Sequence, residues 1–319
     1  MTNQAPISIL PAPGSQLPDR LFKWAAALAA VMVVVLIVLV GWELYLGSRQ
    51  ALFKFGAGFL WSSEWDPVAE KYGALPFIFG TLVSSLLALV IAVPLSIATA
   101  LFLTELAPMR LRQPIIMAIE MLAAVPSVIF GMWGIFVLIP WLRDHAFVWL
   151  KHTLGFLPLF QGPIYGVSML AAGIIIAIMI LPIVTSISRE ILRSVPDLQR
   201  EAAYALGATR WEVLRIAVLS YARRGLFGAA VLGLGRALGE TMAVTMVIGN
   251  RPEISASLFA PGYTLASVVA NEFTEATTDL YLSSLFELGL VLLAVTILVN
   301  IAAQVMLKSM TGGVSSKVA

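Results

Sequence analysis

Long apolar segments limit what this chain can fold into more than any other feature. A transmembrane helix needs about 20 mostly apolar residues. Six stretches meet that requirement: roughly 24–46, 77–103, 115–140, 164–188, 225–249 and 281–307. The chain is also 60% hydrophobic and only 12% charged, which is more apolar surface than a soluble domain needs. We therefore predict an all-α integral membrane protein with six transmembrane helices.

Two details qualify these segments. The first follows Arg20 and Lys23, but it is longer than the core of a signal peptide and no clear cleavage site follows it. We expect it to be a retained helix. Pro94, Pro126 and Pro182 lie inside three other segments, where each is expected to remove a backbone hydrogen bond and bend its helix.

The distribution of Lys and Arg predicts the orientation. With the N-terminus inside, the inner segments carry thirteen of the 20 Lys and Arg residues and the outer loops carry six. This imbalance favours cytoplasmic N- and C-termini. The predicted divisions are a cytoplasmic tail (1–23), the first helix (24–46), an outer loop (47–76), a five-helix core (77–307) and a second cytoplasmic tail (308–319), the core including an inner loop (189–224) and an acidic outer loop (250–280). The aromatic residues of loop 47–76 are expected at the membrane interface or on other helices.

Several kinds of chemistry are disfavoured by composition. Cysteine is absent, which excludes disulfides, thiolate metal sites and cysteine nucleophiles. The two histidines, His145 and His152, lie in a predicted outer loop, and we expect no metal site there. A net charge of +2 does not suggest nucleic-acid binding. No GxxxxGK[ST] sequence is present, so any ATP would be bound by another chain.

The inner loop 189–224 carries signals for two short helices. Asp197 can cap a helix that begins near Leu198, and Thr209 can cap a second helix after a sharp turn at Gly207. Two such helices would form a compact protrusion into the cytoplasm. The alternative is an amphipathic hairpin that rests on lipid headgroups.

The same loop resembles a known family. Glu201, Ala202 and Ala203, followed after three residues by Gly207, are similar to the EAA loop of permease subunits in ABC importers. The resemblance implies that these four residues form the element that docks on a cytoplasmic ATPase.

Three further stretches narrow the resemblance. They are WDPVAEKYGALPFIFGTLVSS (65–85), EMLAAVPSVIFGMWGIFVLIP (120–140) and LGLGRALGETMAVTMVIGN (232–250). Together they resemble the PstC-type permeases of bacterial phosphate importers over about residues 50–307. That family implies the fold of type I ABC importer permeases in the bacterial inner membrane. It also implies a heterodimer with a PstA-type permease, two ATPase subunits that bind ATP-Mg, and an extracytoplasmic phosphate-binding protein. No catalytic residue and no cofactor are implied for this chain itself.

Arg236 and Glu240 are the charged residues of the fifth apolar segment. On a continuous helix, residues four apart share a face and can form an ion pair. Such a pair could simply hold helices together. Our hypothesis is instead that it lines the anion pathway, with Thr241 as a hydroxyl contact, because a guanidinium offers a planar fork that binds tetrahedral oxyanions and stays charged. Sulfate, molybdate or phosphonate would suit the same group.

Two other classes of function remain open from the residues alone. One is a membrane enzyme that acts on lipid phosphates, which would need clustered acids or histidines. The other is an ion-coupled carrier that uses Glu120, Glu240 or Glu287. Co-purification of a stoichiometric ATPase would favour the permease over both.

Overall fold

The computed structural model describes residues 16–309, with side chains from residue 20 onward. Residues 1–15 and 310–319 of the two predicted tails lie outside the described residues. Within the described range the chain is mostly helical, and its only β-type pairings are isolated bridges. Six runs of that range are long and apolar enough to cross a membrane: Arg20–Gly47, Leu75–Leu106, Ser127–Leu154, Met169–Arg193, Arg210–Leu238 and Asp279–Ser309. The predicted all-α fold with six spanning helices is confirmed.

The α-helices are numbered in chain order. They are α1 (Gln16–Gly47), α2 (Arg49–Phe55), α3 (Gly58–Trp61), α4 (Leu75–Leu101), α5 (Met109–Ala123), α6 (Ser127–Trp133), α7 (Ile139–Trp141), α8 (Phe147–Leu154), α9 (Met169–Arg193), α10 (Asp197–Ala205), α11 (Arg210–Glu212), α12 (Ser220–Leu238), α13 (Met242–Val247), α14 (Leu265–Glu272) and α15 (Asp279–Ser309). Short π-helical turns, at Phe102–Leu106, Gly134–Leu138, Leu142–Ala146 and Val213–Leu219, extend or join several of them.

The third spanning run differs from the predicted segment 115–140. The chain leaves the helix after Ala123, and Pro126 adopts an extended backbone with φ −59° and ψ 142°. Proline lacks the N–H that a helix interior requires, so a new helix begins at Ser127. The apolar run then continues to Leu154. Pro94 and Pro182, by contrast, lie inside α4 and α9 as expected.

The fifth spanning run also differs from the predicted segment 225–249. A continuous helical path begins at Arg210 and ends at Leu238, and residues 239–241 separate it from α13. The second helix of the inner loop is therefore not a separate short helix. It is the start of the fifth span, and only α10 and its two connections protrude between α9 and that span.

The centre of the fold is a close packing of α4, α9 and α12. Gly173 on α9 faces Leu87 of α4, where an added Cβ would lie 2.8 Å from the Leu87 Cβ. Gly233 on α12 faces Val184 of α9 in the same way, at 2.7 Å from a Val184 methyl group. Small residues allow spanning helices to approach closely, which maximises van der Waals contact. These glycines therefore hold the central helices together.

The helix α1 lies at the edge of the fold and packs along α15. Gly47 lies against the ring of Phe286, and Gly289 lies against Leu44. The most apolar stretch of α1 has no buried residue, so the rest of this chain leaves most of its surface uncovered.

The two outer loops meet in an aromatic cluster. The Trp65 ring lies 4.8 Å from that of Phe77 and 5.0 Å from that of Tyr72 in edge-on geometry. The Trp65 Nε1–H donates to Glu272 Oε2 at 2.9 Å, and the Tyr281 hydroxyl donates to the same oxygen at 2.7 Å. Trp65 and Tyr72 thus pack on other helices, which was one of the two predicted environments, whereas Phe53 and Trp61 are mostly exposed.

Candidate functional site

Arg236 and Glu240 lie on opposite sides of a break in the fifth span. Arg236 is in the last turn of α12, the helix ends at Leu238, and Glu240 has left the helix. The prediction that the two residues share one helical face is therefore wrong, because it assumed an unbroken helix. Among the described residues, no ion pair within 4.0 Å joins them.

Glu240 instead supports the start of α13. Its side chain is buried, and its Oε1 accepts a hydrogen bond from the backbone N–H of Ala243 at 3.4 Å. The first N–H groups of a helix have no partner within the helix, so a carboxylate at this position satisfies one of them. Glu240 therefore stabilises the backbone that follows the break.

Arg236 has a different environment. Its side chain is exposed on this chain, and it makes no hydrogen bond or ion pair with any other described residue. Its position in the last turn of α12 is favourable for a cation, because helix C-termini carry partial negative charge. A guanidinium that projects from a spanning run and is not used within the chain is free to bind a group that comes from outside it.

Thr241 is half-buried within the break. Its hydroxyl donates to the carbonyl of Gly239 at 3.1 Å, and its own carbonyl accepts from the Thr245 hydroxyl at 2.8 Å. These bonds maintain the turn between α12 and α13. The hydroxyl oxygen of Thr241 can still accept a hydrogen bond, but the hydroxyl proton is already donated to the Gly239 carbonyl.

The helix that follows the fifth-span break packs against the helix that follows the third-span break. Gly131 of α6 lies against α13, where an added Cβ would come within 2.7 Å of Met246 Sδ and 3.0 Å of Ala243 Cα. A Cβ added at Gly134 would likewise come within 3.0 Å of a methyl carbon of Val247. The structure therefore joins the segments after both breaks into one tightly packed pair, which the sequence did not predict.

The remaining membrane acids have separate positions. Glu120 is exposed near the end of α5 and lies 3.7 Å from the guanidinium of Arg189. Glu287 is buried on α15, and its Oε2 has no hydrogen-bond partner among the described residues. Glu43 is exposed on α1. The structure does not bring these acids together with Arg236.

The second predicted site, Glu201, Ala202, Ala203 and Gly207, lies on and just after α10. This helix has no buried residue, and Glu201 and Ala202 are exposed. Gly207 has a φ of +82°, and an added Cβ would meet nothing within 4 Å. Glycine is therefore required here by backbone conformation rather than by space. The predicted sharp turn is confirmed.

The capping predictions for this loop have mixed outcomes. Thr209 caps the helix at Arg210 in a reciprocal arrangement with Glu212, as predicted. The prediction for Asp197 is wrong, because Pro196 occupies the cap position and the Asp197 carboxylate instead accepts a hydrogen bond from Arg200.

Large apolar side chains on and next to α10 are not covered by the rest of this chain. Leu198 is 74% exposed, Leu206 is 90% exposed and Trp211 is 68% exposed. Clustered exposed apolar residues typically mark a surface that binds another molecule. This inner protrusion therefore has the properties of a docking element.

Two residues at this site were not predicted as functional. Arg200 and Glu105 form an ion pair at 3.0 Å, and both side chains are mostly buried. The position of Arg200 directly before Glu201 was a signal that could have drawn attention to it. Nothing local indicated Glu105, because the two residues are 95 positions apart.

Comparisons with known proteins agree with this architecture. Residues 92–312 match the family described as binding-protein-dependent transport system inner membrane component. The phosphate transport system permease protein PstC of Mesorhizobium japonicum is 50% identical over 295 residues, which cover 91% of this chain and 90% of that protein. The PstC protein of Haemophilus influenzae is 47% identical over 296 residues, with 92% and 94% coverage. A probable PstC protein of Methanocaldococcus jannaschii is 38% identical over 286 residues, with 88% and 90% coverage.

A solved structure has the same fold. A chain of the MetNI methionine ABC transporter, in an inward-facing conformation, aligns with a TM-score of 0.51 and 17% identity, covering 74% of this chain and 94% of that chain. At this identity the likeness concerns the fold alone, which is that of an ABC importer permease.

Proposed function

We propose, from the premise that this chain belongs to the PstC family of binding-protein-dependent transport permeases, that it forms half of the translocation pathway of an ATP-driven phosphate importer. It is a multi-pass protein of the inner membrane, with six spanning runs in its described part. The family is one of transport permeases that act with a second permease and ATPase subunits. Both chain ends face the cytoplasm in this proposal, following the Lys and Arg distribution.

The single observation that carries the pathway assignment is the environment of Arg236. A charged side chain inside the bilayer costs about 2.5–3.5 kcal/mol on insertion scales, and such a cost is seldom accepted without a partner. Arg236 has no partner among the described residues, so its partner is expected to come from outside the chain. A phosphate oxyanion matches the guanidinium fork in charge and geometry.

Glu240 and Thr241 have supporting roles in this proposal. Glu240 fixes the start of α13 through Ala243, and Thr241 closes the turn through Gly239. Together they hold open the break beside Arg236. Thr241 additionally offers its hydroxyl oxygen to a protonated phosphate oxygen, since that oxygen still has acceptor capacity.

The inner protrusion supplies the coupling. We place Glu201, Ala202 and Ala203 on the surface that docks on a cytoplasmic ATPase, with Gly207 providing the turn that returns the chain to the fifth span. Hydrolysis of ATP-Mg takes place on the ATPase subunits and not on this chain. Movement of α10 then shifts the equilibrium between outward- and inward-facing arrangements of the spanning helices.

The partners follow from the same mechanism. We propose a heterodimer with a PstA-type permease, so that the exposed Arg236 faces a pathway shared by the two permeases. Two ATPase subunits bind from the cytoplasm, and a phosphate-binding protein delivers the anion from outside.

The test is transport by the reconstituted complex. We expect Arg236→Ala to abolish uptake of radiolabelled phosphate into proteoliposomes while the complex still assembles and hydrolyses ATP. Arg143→Ala is the matched control, because Arg143 is exposed and pairs only with the adjacent Asp144. Wild-type uptake by the Arg236 variant would contradict the pathway assignment. A panel of phosphate, sulfate, molybdate and phosphonate, offered with the binding protein, tests the choice of anion.

A further inference from the structure

The guanidinium of Arg200 makes four hydrogen bonds on the inner side of the described structure. Its Nη1 donates to the carbonyl of Val195 at 2.7 Å and to Asp197 Oδ1 at 2.8 Å. Its Nη2 donates to Glu105 Oε1 at 3.0 Å and to the carbonyl of Leu192 at 3.1 Å. One planar group therefore binds four oxygen atoms at once.

These oxygens belong to three different parts of the fold. Leu192 lies in the last turn of α9 and Val195 follows that helix, so Arg200 satisfies carbonyls that a helix end leaves without partners. Glu105 lies in the π-helical turn that extends α4. Arg200 itself is on α10. The side chain thus connects the docking helix to the inner ends of the second and fourth spans.

The connection to α4 is the important one. The helix α10 is joined by short chain connections to α9 and to the fifth span, but it is distant from α4 in sequence. It has no buried residue of its own, so apolar packing contributes little to its attachment. The Arg200–Glu105 ion pair, with side chains 18% and 19% exposed, is a direct and partly shielded contact between α10 and the end of α4.

Because it is partly shielded from solvent, this ion pair is expected to contribute more to the attachment of α10 than an exposed surface pair would. Exposed ion pairs contribute about 0–1 kcal/mol because water and salt screen them. The Arg193–Glu190 pair on α9 is of that exposed kind, with side chains 41% and 63% exposed. Removing one partner of a less exposed pair costs more, since the other charge is left without compensation.

We infer that Arg200 and Glu105 are positioning residues that transmit displacement of α10 to α4. The inference rests on the proposed coupling function. When the docked α10 moves, the guanidinium carries the end of α4 with it, and α4 packs along α9 and α12 at the centre of the fold. Without this link α10 could still dock, but its movement would reach α4 only indirectly, through its two chain connections and the bonds of Arg200 to the end of α9.

The experiment measures coupling rather than assembly. The complex carrying Glu105→Gln, Arg200→Gln or both is reconstituted in proteoliposomes with the phosphate-binding protein, and phosphate transported per ATP hydrolysed is determined. We expect each single variant to lower this ratio about five-fold or more, the smallest factor typical of coupling between sites. Assembly and basal ATP hydrolysis should persist. The double variant should be no worse than the stronger single variant, because both remove the same contact.

Two further variants separate transmission from simple structural support. Arg200→Lys keeps the charge but cannot reproduce the four-way fork, so an intermediate ratio is expected. Arg193→Gln removes a pair that stays within α9 and should leave the ratio unchanged. If Arg200→Gln does not assemble, the near-isosteric Glu105→Gln and the conservative Arg200→Lys provide the comparison.

The outcomes are distinct. A wild-type ratio in Glu105→Gln, or single effects that multiply in the double variant, would overturn the inference while leaving the proposed function intact. If instead the unmodified complex does not transport phosphate, the proposed function itself fails.

Discussion

Glu240 Oε1 lies 3.4 Å from the backbone nitrogen of Ala243, which donates a hydrogen bond to it across the start of α13. This contact assigns the buried carboxylate to the helix that follows the break and leaves Arg236 on the other side of it. Arg236 therefore remains a cation that this acid does not neutralise through direct contact.

Glu240→Ala is expected to destabilise the protein by about 1 kcal/mol, because a buried backbone N–H loses its acceptor. Glu240→Gln keeps an acceptor oxygen at the same place and should cost less. Thermal unfolding of the detergent-solubilised complex, followed by size-exclusion chromatography, measures both. Equal loss in the two variants would contradict the assigned role, since it would mean that the charge matters and the acceptor does not.

Gly131→Leu is expected to destabilise the paired helices after the two breaks. An added Cβ alone comes within 3.0 Å of Ala243 Cα, which is backbone and cannot move aside cheaply. Overpacking of this kind costs about 1–3 kcal/mol. The matched control is Gly228→Ala on α12, where an added Cβ meets nothing within 4 Å. That control should be neutral or stabilising, because alanine favours a helix more than glycine. Comparable melting temperatures for the two variants would show that the α6–α13 contact is loose.

Gly207→Ala is expected to weaken docking of the ATPase. With φ at +82°, a residue with a side chain pays about 1–2 kcal/mol of backbone strain, and the turn after α10 should relax away from its present shape. Asn tolerates this conformation better than Ala, so Gly207→Asn should bind more ATPase than Gly207→Ala. The amount of ATPase that co-purifies with each tagged permease variant measures this ranking of ATPase binding. Gly58→Ala, in the outer loop where space is open and φ is ordinary, should bind as the wild type does.

The outer aromatic cluster also contains Tyr263, whose ring lies 5.5 Å from that of Phe77, and it is expected to lose stability in alkaline solution. Burial raises the pKa of Tyr263 well above its usual value near 10, the Glu272 carboxylate raises it further, and the hydrogen bond from Asn271 opposes this shift. Above about pH 10 the unfolded chain therefore binds fewer protons than the folded one, so the free energy of unfolding falls as pH rises. Melting temperatures across this range should fall less steeply in Tyr263→Phe than in the wild type.

The same variant has a second signature at neutral pH. Tyr263→Phe removes the hydrogen bond between the Asn271 amide and the tyrosine hydroxyl, which are 2.9 Å apart, at an expected cost of about 1 kcal/mol. The wild type and the variant should thus converge in stability as the solution becomes more alkaline. Parallel pH profiles would contradict this, because they would show that folding leaves the pKa of Tyr263 unchanged.

Much of the architecture could be predicted from local sequence alone. Spanning helices are specified by the length and polarity of a continuous stretch, because the bilayer excludes unpaired backbone groups and charges. The inner turn was likewise predictable, since the conformation at Gly207 and the cap at Thr209 depend on residues within four positions of each other. Glu201, Ala202 and Ala203, for which we propose a docking role, lie on that local unit.

The candidate site itself depended on tertiary structure. Whether Arg236 meets Glu240 is decided by a break that hydropathy does not reveal, because the stretch remains apolar on both sides of it. Packing of α13 against α6 favours ending one helix and starting another. The third span shows the same limit: Pro126 predicted a bend, but only the packed structure decides that the chain leaves the helix there.

The sequence by itself determined the six spans, the turn at Gly207 and the family, because each is encoded within a short stretch or in motifs that can be read in order. Only the tertiary structure decided which charges meet. Arg200 forms an ion pair with Glu105, which lies 95 positions away in the sequence, and Trp65 forms a hydrogen bond with Glu272, 207 positions away. Arg236 and Glu240, by contrast, are four positions apart and do not pair. Contacts over such separations result from the way helices pack, and no local pattern specifies which faces will come together.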